Sequence, residues 1–211
     1  MKRKLPRIYA RLFDRFGPQH WWPGETAFEV AIGAILTQNT NWGNVEKAIY
    51  NLKSEGKLKA SAIHKMTSES LASLIRPAGY FNVKAKRLRN FIDFLVREYG
   101  GSMAKMKKEE KDTIRAKLLA VNGIGPETAD SIILYALGKP VFVIDAYTKR
   151  VLSRHNVMHH DLSYDKFQEL FHLNLATDVQ LFNEYHALFV RVAKEHCRTK
   201  AICPGCPLEG V

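Results

Sequence analysis

The sequence lacks any apolar run that approaches the roughly 18 residues of a membrane-spanning helix. Its N-terminus, MKRKLPRIYARLF, is basic, but the apolar stretch of about 7–15 residues that completes a secretory signal does not follow it. We therefore expect no membrane contact, no targeting signal and a cytoplasmic protein.

Cysteine is scarce: only Cys197, Cys203 and Cys206 occur, all of them in the segment 197–211. In a reducing cytosol, cysteines clustered in this way indicate a metal site rather than disulfides. The Cys-x2-Cys pair inside the cluster also suits zinc.

Acidic residues are outnumbered, because 21 Asp and Glu stand against 32 Lys and Arg, for a net charge of +11. A charge of this size and sign is typical of proteins whose partner is a polyanion. The charge therefore favours nucleic acid as the partner, and a merely soluble basic protein is the alternative. Apolar residues make up 46% of the chain, enough for a real hydrophobic core.

Strand signals are nearly absent, since VFVI (141–144) is the only β-like run and is too short and isolated to build a sheet. Elsewhere the apolar residues recur with a helical period. Residues 28–37 predict a buried helix, and residues 84–99 predict a helix with one apolar stripe, formed by Leu88, Phe91, Ile92 and Leu95. The sequence thus predicts an all-α fold, with Ser163 and Asp178 as N-caps and Gly138 just after a helix C-terminus.

Gly123, Ile124 and Gly125 form a Gly-x-Gly turn between two predicted helices, 113–121 and 126–137. Glycine permits positive φ and close approach of the backbone to a ligand. The helix after the turn opens on a proline, and the unpaired amides of its first turn, with the helix dipole, favour an anion. We interpret 113–137 as a helix-hairpin-helix that grips a DNA phosphate without reading sequence. An ordinary tight turn is the alternative.

The segment LLAVNGIGPETADSIILYALGKPVFVIDAYTKRVL resembles the hairpin-and-aspartate signature of the endonuclease III superfamily of helix-hairpin-helix DNA glycosylases. The resemblance extends, in the right order, to FEVAIGAILTQNTNW, GYFNVKAKRL and EYHALFVRVAKEHCRTKAICPGCPL. Within that superfamily, WWP, LTQNT and a missing lysine look closest to the 3-methyladenine DNA glycosylase III branch.

The resemblance implies a two-lobed architecture. A six-helix barrel is expected over 23–138, and a second helical lobe over 1–22 and 139–211. Double-stranded DNA would lie across the cleft between them, with the damaged nucleotide flipped out of the duplex. The resemblance also implies a monomer that associates with the nucleoid when it is bound to DNA.

The resemblance gives Asp145 the family's catalytic role. Breaking an N-glycosidic bond builds positive charge on the sugar, which a preplaced carboxylate stabilises while it orients or activates water. A plain N-cap is the alternative, and the two roles can coexist. Members that also cut the strand use a lysine as nucleophile, and Glu127 occupies that position here, where it cannot form a Schiff base. The position of the glutamate in mismatch adenine glycosylases is Ala34. The sequence therefore predicts a monofunctional glycosylase.

Three tryptophans, Trp21, Trp22 and Trp42, match pocket aromatics of the alkyladenine branch. Aromatic rings attract a cationic base such as an alkylated purine, by about 1–2 kcal/mol when desolvated. Such a base also leaves easily, which suits a mechanism that uses only water. The alternative for each tryptophan is that it fills the core.

Three further residues are expected to contact DNA. Gln38 matches the polar wedge that fills the gap left by a flipped base, and Tyr80 matches the intercalating side chain. The alternatives are a loop-stabilising amide for Gln38 and a surface aromatic for Tyr80. Lys84 opens a basic cluster after Tyr80 and is expected to touch phosphate.

The cysteine segment 197–211 looks like the loop that binds a [4Fe-4S] cluster in the family, with Cys197, Cys203 and Cys206 as ligands. The family pattern has six residues in the first gap and a fourth cysteine six positions after the third. Here the first gap is five residues and the fourth position falls after Val211. The chain continuing, a ligand from elsewhere and a lost cluster therefore all stay open, with zinc as the chemical alternative.

Three rival functions also stay open. A bifunctional endonuclease III-type enzyme on oxidised pyrimidines would form a covalent DNA adduct that borohydride traps. A non-catalytic DNA-binding module would be unaffected by Asp145→Asn. A redox metalloprotein that does not need DNA would lack the steep salt dependence of DNA binding. The identity of the excised base is open in every case.

Overall fold

The computed structural model describes residues 4–211, which are helical and contain no strand. An isolated β-bridge pairs Cys197 with Ala201. The all-α prediction is confirmed. Among these residues the α-helices are α1 (Lys4–Phe16), α2 (Ala27–Leu36), α3 (Trp42–Ser54), α4 (Ala60–Lys65), α5 (Ser68–Leu74), α6 (Phe81–Tyr99), α7 (Met103–Met106), α8 (Lys111–Leu119), α9 (Pro126–Ser131), α10 (Ala146–Arg154), α11 (Tyr164–Asn174) and α12 (Val179–Glu195). Over the same range, no helix combines the length and apolarity needed to cross a membrane.

Local chemistry sets several helix boundaries. Ser163 Oγ accepts from the Lys166 amide at 3.3 Å, and Asp178 Oδ1 accepts from the Leu181 amide at 2.7 Å. Gly138 has φ of 63°, a conformation that glycine adopts without a Cβ penalty. The three predicted capping residues are therefore confirmed.

The chain divides into two compact units. The central unit comprises Pro23–Lys139, and the terminal unit comprises Pro140–Val211 with the described residues up to Trp22. In the central unit, α2 is buried on nearly every side and α6 buries its predicted stripe, Leu88, Phe91, Ile92 and Leu95. Both predicted helices are confirmed. Helix α6 begins three residues earlier than predicted, directly after Tyr80, whose left-handed backbone separates it from the preceding 3-10 turn, Arg76–Ala78.

The two helices of the predicted hairpin differ from the expected bounds. Helix α8 ends at Leu119 because the Val121 amide donates to the Leu118 carbonyl at 3.0 Å, in a tighter turn than an α-helix makes. Helix α9 passes at Ile132 into a π-helical turn, Ile132–Ala136, in which the amide of Leu137 donates to the carbonyl five residues back.

The terminal unit is built around an aromatic core. Phe142 stacks on Phe171 with ring centroids 3.6 Å apart, and Tyr185 stacks on Phe189 at 4.7 Å. The hydroxyl of Tyr185 donates to the Leu5 carbonyl at 2.8 Å, so α12 is tied to α1 inside this unit. A buried tyrosine needs such an acceptor for its hydroxyl.

The β-like run 141–144 is buried, but it is neither helical nor paired with a strand among the described residues. Buried backbone groups must find hydrogen bonds, and here side chains of α11 supply them. Gln168 Nε2 donates to the carbonyl of the run's second residue at 2.7 Å, and the amide of that residue donates to His172 Nε2 at 3.0 Å. The run's last amide donates to the Tyr164 hydroxyl at 3.3 Å. These contacts fix the segment that leads directly into Asp145.

Candidate functional site

Asp145 is the N-cap of α10. Its Oδ1 accepts from the Thr148 amide at 2.7 Å, and its Oδ2 lies 3.6 Å from Nε2 of His186 in α12. The side chains of Asp145 and His186 are only 12% and 6% exposed. The capping role that sequence alone suggests is confirmed, and it leaves one carboxylate oxygen paired with an imidazole.

Electrostatics keep this carboxylate ionised. Burial by itself raises the pKa of Asp145, because loss of water disfavours the charged form. The contact with His186, which is positive when protonated, and the hydrogen bond from Thr148 outweigh burial, so the pKa lies below the ordinary value for aspartate. The dipole of α10 acts in the same direction.

Sequence reasoning did not identify His186. The available signal was a single polar residue in the apolar stretch HALFV of a predicted helix. Such a residue is often a satisfied core histidine, and only the fold shows that its partner is a carboxylate 41 positions earlier in the chain.

The two hairpin glycines, Gly123 and Gly125, differ in whether the backbone and its surroundings would admit another residue. Gly123 has φ of 96°, and a Cβ there would lie 2.3 Å from Cγ of Arg87. Gly125 has φ of −91°, which any residue adopts, and a Cβ there would meet nothing within 4 Å. The fold therefore requires glycine at Gly123, whereas Gly125 leaves open space beside the backbone for an external group to approach.

The hairpin amides are not equivalent either. The Ile124 amide donates to the Val121 carbonyl at 3.0 Å and the Ile124 side chain is buried, so this residue anchors the turn. This corrects the expectation that Ile124 binds DNA, because its donor is already used. Within residues 4–211, the amides of Gly123 and Gly125 have no acceptor.

An ion pair fixes the two hairpin helices to each other. Arg115 of α8 donates from Nε to Oδ1 of Asp130 at 2.7 Å and from Nη2 to Oδ2 at 3.1 Å, and Asp130 of α9 is fully buried. Bidentate pairing of this kind is both strong and geometrically specific. Local sequence patterns did not identify this pair, whose members lie on either side of the turn.

Gln38 is hydrogen-bonded to the hairpin. Its Nε2 donates to the Gly123 carbonyl at 3.1 Å and to Thr128 Oγ1 at 2.9 Å, and its Oε1 accepts from Nη1 of Arg87. These bonds match the alternative interpretation of Gln38 as a loop-stabilising amide. Entry of this side chain into a DNA gap would require them to break.

Tyr80 lies at the tip of a turn and is 72% exposed. It has φ of 45°, directly after Gly79 at φ of 70°. A bulky residue with left-handed backbone is uncommon, and such conformations cluster at functional sites. The ring is therefore held outward, where it is accessible to a stacking partner.

Lys84 corrects a prediction. It is 1% exposed, and its Nζ donates to the Leu36 carbonyl at 2.8 Å and the Ala78 carbonyl at 2.7 Å. Burial, followed by the nearby charge of Arg87, lowers the pKa of Lys84 to about 8, so the side chain is an ammonium at neutral pH. Because the ammonium points into the central unit, the expectation that Lys84 touches phosphate is wrong.

The three tryptophans belong to different units. Trp21 and Trp22 pack edge to face in the terminal unit, with ring centroids 5.6 Å apart and an interplanar angle of 74°. The buried indole N–H of Trp21 has no acceptor among residues 4–211. Trp42 begins α3 in the central unit and donates from Nε1 to Glu46 at 2.8 Å.

Glu127 lies in the exposed first turn of α9, and Ala34 is buried in α2. Glu127 therefore presents a carboxylate to solvent beside the hairpin. Ala34, a buried methyl side chain, supplies neither an acid nor a base.

The cysteine segment contains three free thiols, with Cys197 buried, Cys206 half-buried and Cys203 exposed. Burial raises the pKa of Cys206, and the charges of the other two thiols raise it further. Arg154 donates from Nη1 to Sγ of Cys197 at 3.4 Å, and Arg150 donates from Nε to the Cys197 carbonyl at 2.7 Å.

Nevertheless, no group of three or more His, Cys, Asp or Glu side chains in the described part of the chain is arranged to hold a metal ion. This donor set does not fit the four-thiolate cluster expected from the resemblance. The cluster, with zinc as the alternative, stays a prediction.

The chain is similar to a known protein family and to a named relative. The model of the HhH-GPD superfamily of base excision DNA repair proteins matches residues 32–176. A relative from Methanocaldococcus jannaschii, named as a candidate DNA repair glycosylase, is 51% identical over 205 residues, which cover 96% of this chain and 93% of the relative.

Two solved structures are also similar. The H. pylori 3-methyladenine DNA glycosylase bound to 1,N6-ethenoadenine has a TM-score of 0.77 and 28% identity, and the match covers 90% of this chain and 94% of that chain. An endonuclease III–DNA complex has a TM-score of 0.84 and 21% identity, with coverage of 99% and 93%, and it shows the fold alone. The predicted resemblance and the helix-hairpin-helix glycosylase fold are confirmed.

Proposed function

Because the chain belongs to the HhH-GPD superfamily of base excision DNA repair proteins, we propose that it is a monofunctional DNA glycosylase. It hydrolyses the N-glycosidic bond between a damaged base, an alkylated purine, and the deoxyribose in double-stranded DNA. The observation that carries this proposal is Asp145, a buried carboxylate with a lowered pKa at the N-terminus of α10.

Asp145 would act on the sugar. As the C1′–N bond breaks, the base leaves with the bonding electron pair and positive charge develops on the sugar, which the ionised carboxylate stabilises. Water then bonds to C1′ and gives its proton to the carboxylate or to solvent, leaving an abasic site and a free base. His186 and the Thr148 amide hold the two carboxylate oxygens in place before the reaction begins.

The absence of lyase activity rests on Glu127. A carboxylate at that position cannot attack the sugar to form a Schiff base. The product is therefore an intact strand with an abasic site. The substrate class rests on leaving-group chemistry, since a cationic alkylated purine leaves without prior protonation. It also rests on the pair of Trp21 and Trp22 as aromatic surface for such a ring. The 28% identity to a 3-methyladenine glycosylase supports the same class.

DNA is held through the hairpin and the exposed turn of the central unit. The amides of Gly123 and Gly125 would donate to one phosphate, with Gly125 permitting close approach. Tyr80 would stack into the step from which the base is flipped, recovering part of the unstacking cost of a few kcal/mol.

The test is a panel of duplexes, each with one lesion, incubated with wild type and with Asp145→Asn and assayed for base release. Strand breaks should appear only after alkali treatment, and Asp145→Asn should abolish release. Asp178→Asn is the matched control, because Asp178 caps α12 with the same 2.7 Å bond that Asp145 makes at α10. Full activity of Asp145→Asn would refute the proposal, and a borohydride-trapped adduct would refute its monofunctional part.

A further inference from the structure

Lys84 is a buried cation for which the proposed reaction has no use. Burying an ammonium is costly unless hydrogen bonds replace its water shell. Its Nζ makes two such bonds, at 2.8 Å to the Leu36 carbonyl and 2.7 Å to the Ala78 carbonyl. Both carbonyls belong to helix C-termini, of α2 and of the 3-10 turn Arg76–Ala78, where a cation is favoured.

The position of these two carbonyls in the chain is informative. The Leu36 carbonyl lies two residues before Gln38, and the Ala78 carbonyl lies two residues before Tyr80. One ammonium therefore bridges the loop that carries Gln38 and the turn that carries Tyr80. An apolar side chain of the same length would fill the space, but it could not fix two carbonyls from separate loops at one point.

A second residue of α6 extends the connection to the hairpin. Arg87, one helical turn after Lys84, donates to Oε1 of Gln38, whose Nε2 donates to the Gly123 carbonyl. The side chain of Arg87 also lies directly under Gly123. Lys84 and Arg87, on one face of α6, thus hold the Gln38 loop and the Tyr80 turn directly and the hairpin through Gln38.

We propose that Lys84 is a positioning residue, which sets the spacing between the Gln38 loop and the Tyr80 turn so that Tyr80 enters the duplex where a base has been flipped. This inference rests on the proposed function. It assigns no contact with DNA to Lys84, and it places the effect of the residue on recognition of a gap in the stack rather than on general DNA affinity.

The test compares two duplexes, one intact and one with a single tetrahydrofuran abasic analogue, by fluorescence anisotropy at one fixed salt concentration. The quantity measured is the affinity ratio of the two duplexes. Lys84→Met should lower this ratio about tenfold, as expected for the loss of hydrogen bonds from a charged donor. Tyr80→Ala should lower the ratio as well. The double variant should show no lower ratio than Tyr80→Ala alone, because both changes act on the insertion of Tyr80 into the duplex.

Lys86→Met is the matched control, since Lys86 is an exposed lysine of the same helix. It removes one charge and should leave the ratio unchanged, even if both affinities fall. A folding defect would be detected by thermal unfolding of each variant. If Lys84→Met does not fold, Lys84→Gln carries the same cycle; its shorter, uncharged side chain cannot reproduce both bonds of the ammonium, so the ratio should fall in the same direction.

An unchanged ratio in the Lys84 variant, or additive losses in the double variant, would overturn the inference while leaving the proposed function in place. A wild-type protein that does not prefer the abasic duplex would overturn base flipping itself and the inference with it. The two failures are therefore distinguishable in one data set.

Discussion

Nε2 of His186 lies 3.6 Å from Oδ2 of Asp145, and both side chains are buried. The second oxygen of the carboxylate is held by a main-chain amide. The reactive group of the proposed glycosylase is therefore set between a side chain that can carry positive charge and the positive end of a helix dipole.

Replacing His186 with asparagine should shift the acidic limb of base release to higher pH. His186 lowers the pKa of Asp145, so its removal raises that pKa, and the carboxylate is lost at a less acidic pH. Single-turnover rates between pH 4 and pH 8 would measure the shift. A uniform loss of rate with an unmoved limb would mean that His186 supports packing only.

Replacing Asp145 should change the pH dependence of stability in acid, because the pKa of this carboxyl group is lowered in the folded protein. A carboxyl group whose pKa is lowered on folding stabilises the protein above its unfolded pKa of about 3.9, and that contribution disappears as the pH falls through the folded value. Asp145→Asn should therefore flatten the loss of unfolding free energy below about pH 4. Urea titrations of the variant and of wild type at several pH values would test this, and parallel pH profiles would contradict it.

The two hairpin glycines should separate stability from DNA binding. Gly123→Ala places a Cβ at positive φ against Arg87 and should cost about 1–3 kcal/mol of stability. Gly125→Ala meets no protein atom within 4 Å, so stability should be kept while affinity for DNA falls. Thermal unfolding and DNA titration of both variants provide the comparison, and an equal effect of the two changes on both measurements would contradict it.

The Arg115–Asp130 pair should contribute through the orientation of the hairpin helices. Arg115→Met leaves the fully buried Asp130 without its bidentate partner, and the expected loss is about 3 kcal/mol. The double change Arg115→Met with Asp130→Leu removes both charges and should recover part of that loss. Chemical denaturation of the three proteins measures the difference, and a double variant less stable than Arg115→Met would contradict the explanation.

Metal content is the fifth prediction. The predicted cluster, or zinc in its place, takes its thiolates from Cys197, Cys203 and Cys206, and a structural metal stabilises the fold that binds it. Cys203→Ser, at the exposed thiol, should therefore release the metal and lower the thermal midpoint. Elemental analysis for iron and zinc provides the second readout, and wild-type protein that contains neither metal would overturn the prediction.

Sequence periodicity predicted those parts of the fold that depend on local rules. The stripe of Leu88, Phe91 and Leu95 is visible because a helix repeats its faces every few residues. The position of Gly138 just after a helix C-terminus was predictable for a similar reason, since a positive φ after a helix favours glycine. Membership of the glycosylase superfamily was also predictable, because its motifs follow one another in order along the sequence, and the superfamily model matches residues 32–176.

Long-range pairings could not be read in this way. Lys84 belongs to a basic cluster in sequence, and only the fold reveals that two carbonyls turn its ammonium inward. His186 and the Arg115–Asp130 pair are likewise defined by partners that no local pattern specifies. The amide of Ile124 was misjudged because a tight turn consumes one of its own donors.

The run 141–144 has a consequence for how catalysis could be tuned. Its backbone is hydrogen-bonded to three side chains of α11 rather than to a neighbouring strand. A strand partner would have to change as a whole, whereas Tyr164, Gln168 and His172 can each be altered singly. The alignment of the Asp145 carboxylate, which follows this segment, can therefore be changed by substitutions in a helix that takes no part in the reaction. Such substitutions would alter the turnover rate without replacing a reacting group.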